Sequence, residues 1–517
     1  MALTDIRHYD AIIIGSGIGG AFAALALVRA GQRVLVLERG DWISRGAANW
    51  TPEGVWELTP AHSMEAPYEL STGGRRSRVG GFHCVGGMSV FAGGVALRFR
   101  ERDFEPAPEI VGVSGAEWPY RYADLAPFYD DAERVLGVAG STGEDPTEPP
   151  RTQPYPQAPA PLASLSRRIG DSARALGLSP FRLPLAINYA NGARKACIGC
   201  STCDAYACAI EAKNDVSTVV YPDLIARGLI LEPNTVVTGV ERESTRATAV
   251  HTVHRATGER RAYRGTRIFL AAGVIGTPHL LLASGLEHAN PGGDVVGRYL
   301  LRHCNAMTFG FFPARPNPAG EFHKQLGVHD FYFGDPRGGA PEGKLGCIQQ
   351  VMPPPLGSLQ KRLGRPLMRV LTPVMHHMTG LLSIAEDQPN AANRLTIDRS
   401  RSDRFAMPRV QIAHEYSARD RAARQALVDW AKRILRGAGA RFFYTHHIDT
   451  FSHAVGTVRA GLEPNTSALD ARCRFRGIDN LYVVDGSFMP TAAAVNPSLT
   501  IAANALRTAT LALEAGR

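Results

Sequence analysis

The segment Asp10-Ala-Ile-Ile-Ile-Gly15-Ser16-Gly17-Ile-Gly19-Gly20 decides the fold of this chain. It is an apolar strand that runs into a glycine-rich turn, and the alanine-rich stretch 21–30 that follows is typical of a helix. Gly15 permits a tight turn, Gly17 lets the backbone approach a pyrophosphate, and Gly20 allows close packing of helix on strand. The segment therefore predicts a dinucleotide site in which the N-terminus of the helix faces the phosphates.

A second strand supports this interpretation. Val34-Leu-Val-Leu37 is followed by Glu38, whose carboxylate can accept hydrogen bonds from ribose hydroxyls. A glycine triplet alone also fits an ordinary turn. The order of strand, glycines, helix, second strand and terminal acid favours the dinucleotide site.

The opposite end of the chain carries a second set of polar and small residues. Val484-Asp485-Gly486-Ser487-Phe-Met-Pro490 leads into Val495-Asn496-Pro497-Ser498-Leu-Thr500-Ile501. A third glycine-rich segment, 78–94, contains Gly86-Gly87-Met88-Ser89 and suits backbone lying against a flat ligand. We expect one site to be assembled from these distant segments.

Composition limits the classes of function. The chain has 517 residues, 44% of them hydrophobic and 20% charged, which is ordinary for a globular enzyme with two domains or one elaborated domain. The net charge is +9, but the basic residues are scattered among acids, so nucleic-acid binding is not expected. No apolar run reaches about eighteen residues, so no membrane span is expected. Asp5 and Arg7 precede the first strand, which argues against a signal peptide and favours a cytoplasmic location.

The motifs together resemble the glucose–methanol–choline (GMC) oxidoreductases, flavoenzymes that oxidise alcohols. Besides the segments above, the resemblance rests on Leu270-Ala-Ala-Gly273-Val-Ile-Gly-Thr-Pro278, on Val296-Gly297-Arg298 through His303, and on Ser452-His453-Ala-Val-Gly456-Thr457-Val-Arg459. It implies an α/β fold with a discontinuous Rossmann-type FAD-binding domain and a mixed α+β substrate domain on a larger sheet.

The resemblance also implies a division of the chain and a set of cofactor-binding residues. Residues 1–105, 211–309 and 451–517 would form the FAD-binding domain, 106–210 a flavin-covering and cysteine-rich insertion, and 310–450 the substrate domain. The residues expected to bind FAD are Gly15, Ser16, Gly17, Gly19, Gly20, Glu38, Gly86, Gly87, Ser89, Val237, Ala272, Gly273, Asp485, Gly486, Asn496, Pro497 and Ser498.

His453 lies in what looks like the family's catalytic-histidine motif, and Asn496 stands where relatives place a second histidine or an asparagine. The chemistry of the two residues agrees with those roles. A neutral imidazole can take the hydroxyl proton of an alcohol while the flavin accepts the hydride. Asparagine cannot act as a base, but its amide can orient the alcohol oxygen. We expect His453 to be the general base and Asn496 the positioning residue.

Two features depart from family patterns. Some relatives, notably pyranose oxidases, carry a histidine that links covalently to the flavin where this chain has Phe91, so we expect noncovalent FAD, with His83 as the alternative attachment point.

The run Cys197-Ile-Gly-Cys200-Ser-Thr-Cys203-Asp-Ala-Tyr-Ala-Cys208 resembles a ferredoxin spacing without matching it. An iron–sulfur cluster, a structural zinc site and metal-free cysteines are the alternatives, and we favour no metal.

Substrate and reaction type stay open at this point. A small polyhydroxylated alcohol, either a sugar or an aminoglycoside, is the expected substrate, with oxygen or another acceptor taking the electrons. Sterol, long-chain and aryl alcohols are alternatives, as are an FAD-containing lyase of the same family and an NAD(P)-linked flavin reductase.

Residues 356–378 mix basic and apolar side chains, and we expect a lid or packed insertion of the substrate domain because Pro366 and Pro373 interrupt any long amphipathic helix.

Overall fold

The computed structural model describes residues 8–56, 58, 65–72, 75–339 and 341–515. The strands are β1 (His8–Ile14), β2 (Val34–Leu37), β3 (Glu65–Thr72), β4 (Arg75–Gly81), β5 (Pro180–Arg182), β6 (Ile230–Glu232), β7 (Thr235–Glu243), β8 (Arg246–His254), β9 (Arg260–Leu270), β10 (Cys304–Phe311), β11 (Leu326–Val328), β12 (Gly346–Val351), β13 (Met378–Ala385), β14 (Arg394–Ser402), β15 (Pro408–Ala413), β16 (Phe442–His447) and β17 (Leu481–Val483). The α-helices are α1 (Ile18–Arg29), α2 (Pro108–Val111), α3 (Tyr122–Val135), α4 (Ser164–Ala175), α5 (Val216–Val219), α6 (Tyr221–Ala226), α7 (Gly273–Ala283), α8 (Leu356–Leu363), α9 (Arg365–Met375), α10 (Ala418–Gly437) and α11 (Ser498–Glu514).

The first sheet has a parallel core in the order β6-β2-β1-β9, and β17 adds to the second half of β9. The first half of β9 continues into the antiparallel strands β8 and β7. Ile14 pairs with both Leu37 and Leu270, so three parallel strands end at one edge of the sheet. The connections that follow these strands therefore meet at that edge, where α/β sheets bind ligands.

Helices α1 and α11 pack against each other beside this sheet, which joins the start of the described chain to its end. Two glycines let α1 lie close to the backbone at the edge of the sheet. A Cβ atom on Gly20 would lie 2.1 Å from the carbonyl oxygen of Gly15, and one on Gly19 would lie 2.1 Å from that of Val484. Any larger residue at these positions would push the helix away from the sheet.

The second sheet is antiparallel, in the order β16-β10-β13-β12-β11-β5, and α10 packs on β10, β12 and β13. A third sheet has the order β14-β15-β3-β4, with β15 and β3 parallel. The expected α/β class, a Rossmann-type domain beside a mixed α+β region, is confirmed. The domain boundaries proposed from the sequence stay a prediction. The antiparallel sheet includes β5, which precedes residue 310, and its strand β10 begins at Cys304.

Residues 356–375 form two short helices, α8 and α9, separated at Gly364. Pro366 lies in the first turn of α9 and Pro373 lies inside that helix. Among the residues that the structure describes, no helix is both long enough and apolar enough to cross a bilayer.

Candidate active and cofactor site

The turn after β1 leaves space beside its backbone. Gly15 has φ +104°, and a Cβ atom there would lie 2.3 Å from the carbonyl oxygen of Ala271, so only glycine fits. Gly17 has φ −63°, and a Cβ atom there would meet nothing within 4 Å. Gly87 lies close to Gly17, because a Cβ atom on Gly87 would lie 3.3 Å from the Gly17 Cα. The open space at Gly17 lies at the N-terminus of α1, where a pyrophosphate fits.

Glu38 holds this turn in place. Its Oε2 accepts hydrogen bonds from the backbone N (3.0 Å) and Oγ (2.6 Å) of Ser16, and its Oε1 accepts one from the backbone N of Gly40 (2.8 Å). The backbone N of Gly86 in turn donates to the Ser16 Oγ at 3.1 Å. Glu38 is buried, which raises the pKa of its carboxyl group. Three hydrogen bonds leave one acceptor direction, on Oε1, for a ribose hydroxyl.

Asp485 joins the C-terminal segment to the N-terminus of α7. Its Oδ2 accepts from the Gly273 backbone N (3.0 Å) and the Thr277 Oγ1 (2.5 Å), and its Oδ1 accepts from the backbone N (2.9 Å) and Oγ (2.5 Å) of Ser487. The carboxylate is therefore fully engaged within the protein. The neighbouring backbone at Ala272 and Gly273 is left accessible at the edge of the sheet.

The remaining residues expected to bind FAD lie around the same edge. The Ser89 Oγ donates to the Gly86 carbonyl (2.7 Å) and accepts from the Val216 backbone N (3.3 Å), so it stabilises the glycine turn. Val237 lies on β7, two residues after Thr235, whose backbone N donates to the Glu38 carbonyl at 2.8 Å. Pro497 caps α11 and Ser498 begins it, partly exposed. Gly486 is buried against the 453–460 segment through its carbonyl, which accepts from the Gly456 backbone N at 3.0 Å.

His453 and Asn496 meet in this region. The Asn496 Nδ2 lies 3.1 Å from the His453 Nε2, and the Asn496 Oδ1 accepts from the Gln349 Nε2 at 2.9 Å. The other ring nitrogen of His453, Nδ1, lies 3.2 Å from the Nδ1 of His303. The two residues expected from the sequence to perform the chemistry are thus in direct contact.

The electrostatic surroundings keep His453 neutral. Burial, the adjacent His303 and the positive charge of Lys324 lower the pKa of His453 to about 3. Lys324 is itself fixed by an ion pair with Asp204, with 2.7 Å between Nζ and Oδ1. An unprotonated imidazole is the form that can accept a proton from an alcohol.

Three residues of the site were not assigned a role from the sequence. His303 was visible as the end of the Val296–His303 motif, but the motif alone gave it no function. Gln349 on β12 and Lys324 before β11 carry no local signal, because their contact with the site depends on how the antiparallel sheet packs against the Rossmann-type domain.

Phe91 and the cysteine run are the two features that depart from family patterns. Phe91 is buried against Phe82, with 5.3 Å between ring centroids. All eight cysteines are free thiols. Within the described residues, no group of three or more His, Cys, Asp or Glu side chains is arranged to hold a metal ion. Burial raises the pKa of both the Cys197 and Cys203 thiols.

Family models agree with the geometry. Two models, both described as GMC oxidoreductase, match residues 171–305 and 389–505. A third, described as FAD dependent oxidoreductase, matches residues 10–100, which contain the glycine turn and Glu38.

Curated relatives match along almost the whole chain. The 6'''-hydroxyparomomycin C oxidase of Streptomyces lividus is 33% identical, over 98% of this chain and 91% of that protein. The paromamine 6'-oxidase of Streptomyces fradiae is 31% identical over the same shares. The fructose dehydrogenase large subunit of Gluconobacter japonicus is 27% identical over 97% of each chain.

Solved structures share the fold. The pyridoxine 4-oxidase from Mesorbium loti superposes with a TM-score of 0.67 at 18% identity, over 97% of this chain and 98% of that one. A formate oxidase from Aspergillus oryzae RIB40 gives a TM-score of 0.68 at 14% identity, over 99% of each chain.

Proposed function

This chain belongs to the GMC oxidoreductase family and is an FAD-dependent alcohol oxidoreductase, and we propose that His453 is its general base and Asn496 its substrate-positioning residue. The observation that carries this assignment is the 3.1 Å contact between the Asn496 Nδ2 and the His453 Nε2. A hydroxyl oxygen that lies beside this contact, within hydrogen-bond distance of both nitrogen atoms, meets a proton acceptor and a hydrogen-bond donor at once.

Each residue has a separate role in the reaction. Bound FAD supplies the hydride acceptor. His453 takes the hydroxyl proton on Nε2, since its lowered pKa leaves the ring neutral. Asn496 donates through Nδ2 to the alcohol oxygen, and Gln349 holds the amide by binding its Oδ1. His303 and Gln349 are buried, and His453 and Asn496 are partly buried, which limits the competition of water for the same hydrogen bonds.

FAD fits the residues around the sheet edge. The space at Gly17 and the N-terminus of α1 suit its pyrophosphate, and the remaining acceptor direction of Glu38 suits a ribose hydroxyl. We propose that the cofactor is held noncovalently, because the side chain at the expected attachment position, Phe91, has no nucleophilic atom. His83 is the alternative attachment point, and acid precipitation separates the two cases, since noncovalent FAD leaves the protein.

For the substrate, we propose a polyhydroxylated alcohol of the aminoglycoside type. The support is that two relatives above 30% identity are named as oxidases of paromomycin-type and paromamine substrates. The polar groups near His453 agree with such a substrate. Gln349 binds Asn496. The Asp204 carboxylate, which is 32% exposed beside Lys324, can bind hydroxyl or ammonium groups. Oxygen or another acceptor completes the cycle.

We also propose that the four cysteines of the 197–208 run remain thiols and that the protein is cytoplasmic. Both proposals are supported by the free state of all eight cysteines, which is usual in a reducing compartment. The raised pKa of the Cys197 and Cys203 thiols further supports the first. The absence of nucleic-acid partners stays a prediction.

The function is tested by anaerobic mixing of the purified holoprotein with a panel of alcohols. The panel contains aminoglycosides with a free primary hydroxyl, simple sugars, a sterol and an aryl alcohol, and flavin absorbance is followed. We expect bleaching by an aminoglycoside. Turnover with the flavin still oxidised would show a lyase, bleaching by NAD(P)H alone would show a reductase, and bleaching only by the sterol or aryl alcohol would overturn the substrate class.

A further inference from the structure

We propose that His303 is a positioning residue that keeps the ring proton of His453 on Nδ1 and so leaves Nε2 bare to act as the base. This inference rests on the proposed role of His453. His303 contacts His453 at Nδ1, the ring nitrogen opposite the one that faces Asn496.

The carbonyl group of Ala492 fixes the direction of each hydrogen bond that joins His303, His453 and Asn496. The Nε2 of His303 lies 3.1 Å from the carbonyl oxygen of Ala492, which can only accept, so His303 carries its proton on Nε2. The Nδ1 of a neutral His303 is then an acceptor. Since the His453 Nδ1 lies 3.2 Å away, it must be the donor, and the proton of His453 is on Nδ1.

The far end of the chain of hydrogen bonds agrees with this direction. A bare His453 Nε2 needs a donor, and the Asn496 Nδ2 lies 3.1 Å from it. The Asn496 Oδ1 is then an acceptor, which matches the Gln349 Nε2 at 2.9 Å. Reversing the amide of Asn496 would force His303 to present an acceptor to the Ala492 carbonyl, and neither atom would have a proton.

His303 must be neutral to accept the hydrogen bond from His453, and its surroundings favour the neutral ring. The residue is 1% exposed, and burial lowers the pKa of its ring. The carboxylate of Asp387 opposes this shift, but it is already engaged by the backbone N atoms of Arg302 (2.8 Å) and His303 (3.0 Å). Lys344 adds positive charge that favours the neutral ring.

The backbone of His303 is fixed as firmly as its ring. Its N donates to Asp387, and its carbonyl accepts from the Tyr416 OH at 2.9 Å. It has φ +59°, in the left-handed region that few residues other than glycine adopt. An unfavourable backbone conformation held by hydrogen bonds on both sides is typical of a residue that aims its side chain for a purpose.

Two amide substitutions separate positioning from packing. In His303→Asn the side-chain oxygen can take the place of Nδ1 and accept from His453, and asparagine tolerates the left-handed backbone. In His303→Gln the amide reaches the place of Nε2 and leaves the His453 Nδ1 without an acceptor. We expect His303→Asn to keep anaerobic flavin reduction within about tenfold of wild type, and His303→Gln to lose about 10²-fold or more with little change in KM.

His446→Ala is the matched control. It removes an exposed imidazole of β16 and leaves the hydrogen bonds of His303 and His453 in place, so we expect near wild-type reduction. Flavin content and thermal unfolding of all three variants report whether each folds. If His303→Gln holds FAD and reduces it as fast as His303→Asn, the positioning role is wrong.

A second measurement reads the proton directly, without turnover. Solid-state ¹⁵N NMR of the holoprotein labelled at histidine distinguishes protonated from bare ring nitrogens, and the signals of His453 are those that a His453→Asn variant lacks. We expect a bare Nε2 in the wild type and in His303→Asn, and mixed protonation in His303→Gln. A protonated Nε2 in the wild type would overturn the inference. Loss of the role of His453 itself is a separate outcome, shown by full activity of His453→Ala.

Discussion

Leu301 and Val455 exchange two backbone hydrogen bonds, of 3.0 and 2.9 Å, and this short antiparallel bridge brings the segments of His303 and His453 side by side. The next residue, Gly456, has φ +88°, and a Cβ atom on it would lie 2.2 Å from the carbonyl oxygen of Tyr299. The position of His453, the proposed base, is therefore set by backbone contacts that only glycine at 456 permits.

Gly456→Ala should displace this bridge. We expect slower flavin reduction by at least about tenfold, because a small displacement of a reacting group has a large effect on rate. Gly31→Ala is the matched control: its φ of +74° imposes a similar backbone cost, but a Cβ atom there meets nothing within 4 Å. Stopped-flow reduction per bound flavin compares the two variants, and equal rates would show that the bridge does not position the base.

Gly17→Val should fold without holding FAD. The backbone at Gly17 is in an ordinary region, φ −63°, and no protein atom lies within 4 Å of an added Cβ. The side chain would instead fill the space that we assign to the pyrophosphate. Gly192→Val, at an exposed position with equally open surroundings, is the control and should retain flavin. Absorbance of the purified proteins decides, and a fully flavinated Gly17→Val would contradict the assignment of the phosphate site.

The local part of this architecture could be predicted from the sequence. The order of β1, the glycine turn, α1, β2 and Glu38 occupies about thirty consecutive residues, so the periodicity and the glycines contain the information. The motif around His453 likewise gave the prediction that this residue is the base, which stays a prediction. The α/β class and the family followed from these stretches and are confirmed.

The contacts among distant segments could not be predicted. The bridge of Leu301 to Val455, the hydrogen bond from Gln349 to Asn496, and the ion pair of Lys324 with Asp204 each join residues more than a hundred positions apart. No periodicity records such pairs, since they depend on how whole sheets pack. The sequence also suggested that Glu38 simply faces a ribose, whereas most of its hydrogen-bonding capacity fixes Ser16 and Gly40.

The cysteine run should prove free of iron. Holoprotein purified without oxygen should contain no stoichiometric iron or labile sulfide, and thiol titration after unfolding should count all eight cysteines. Cys200→Ala should then reduce flavin and pass electrons to an artificial acceptor as the wild type does. About three or four iron atoms per chain, with slowed electron delivery in Cys200→Ala, would instead show a cluster that relays electrons.

Flavin reduction should depend weakly on pH through the neutral range. His453 is an active base only when unprotonated, and its surroundings lower its pKa from an ordinary value of about 6.5 to about 3. The active form is therefore populated above the ordinary value, and activity is lost only as the pH falls well below it. Rapid reduction measured from acid to alkaline pH should show the loss on the acid side. An inflection at or above about 6.5 that disappears in His453→Ala would show that His303 and Lys324 do not act as described.

Removing the catalytic pair tests the mechanism itself. His453→Ala should bind FAD and lose about 10²–10⁴-fold in the rate of flavin reduction, the usual contribution of a positioned general base. Asn496→Ala should lose less, about 10-fold to 100-fold, because the base remains while the alcohol is poorly oriented. His446→Ala, which removes an exposed histidine of β16, should reduce flavin normally and controls for general effects of losing an imidazole.

Since the two side chains of the pair share one hydrogen bond, the double variant should lose less than the product of the single losses. Near wild-type reduction by His453→Ala would place the base elsewhere, whereas independent, multiplying losses would show that the contact between His453 and Asn496 has no part in catalysis.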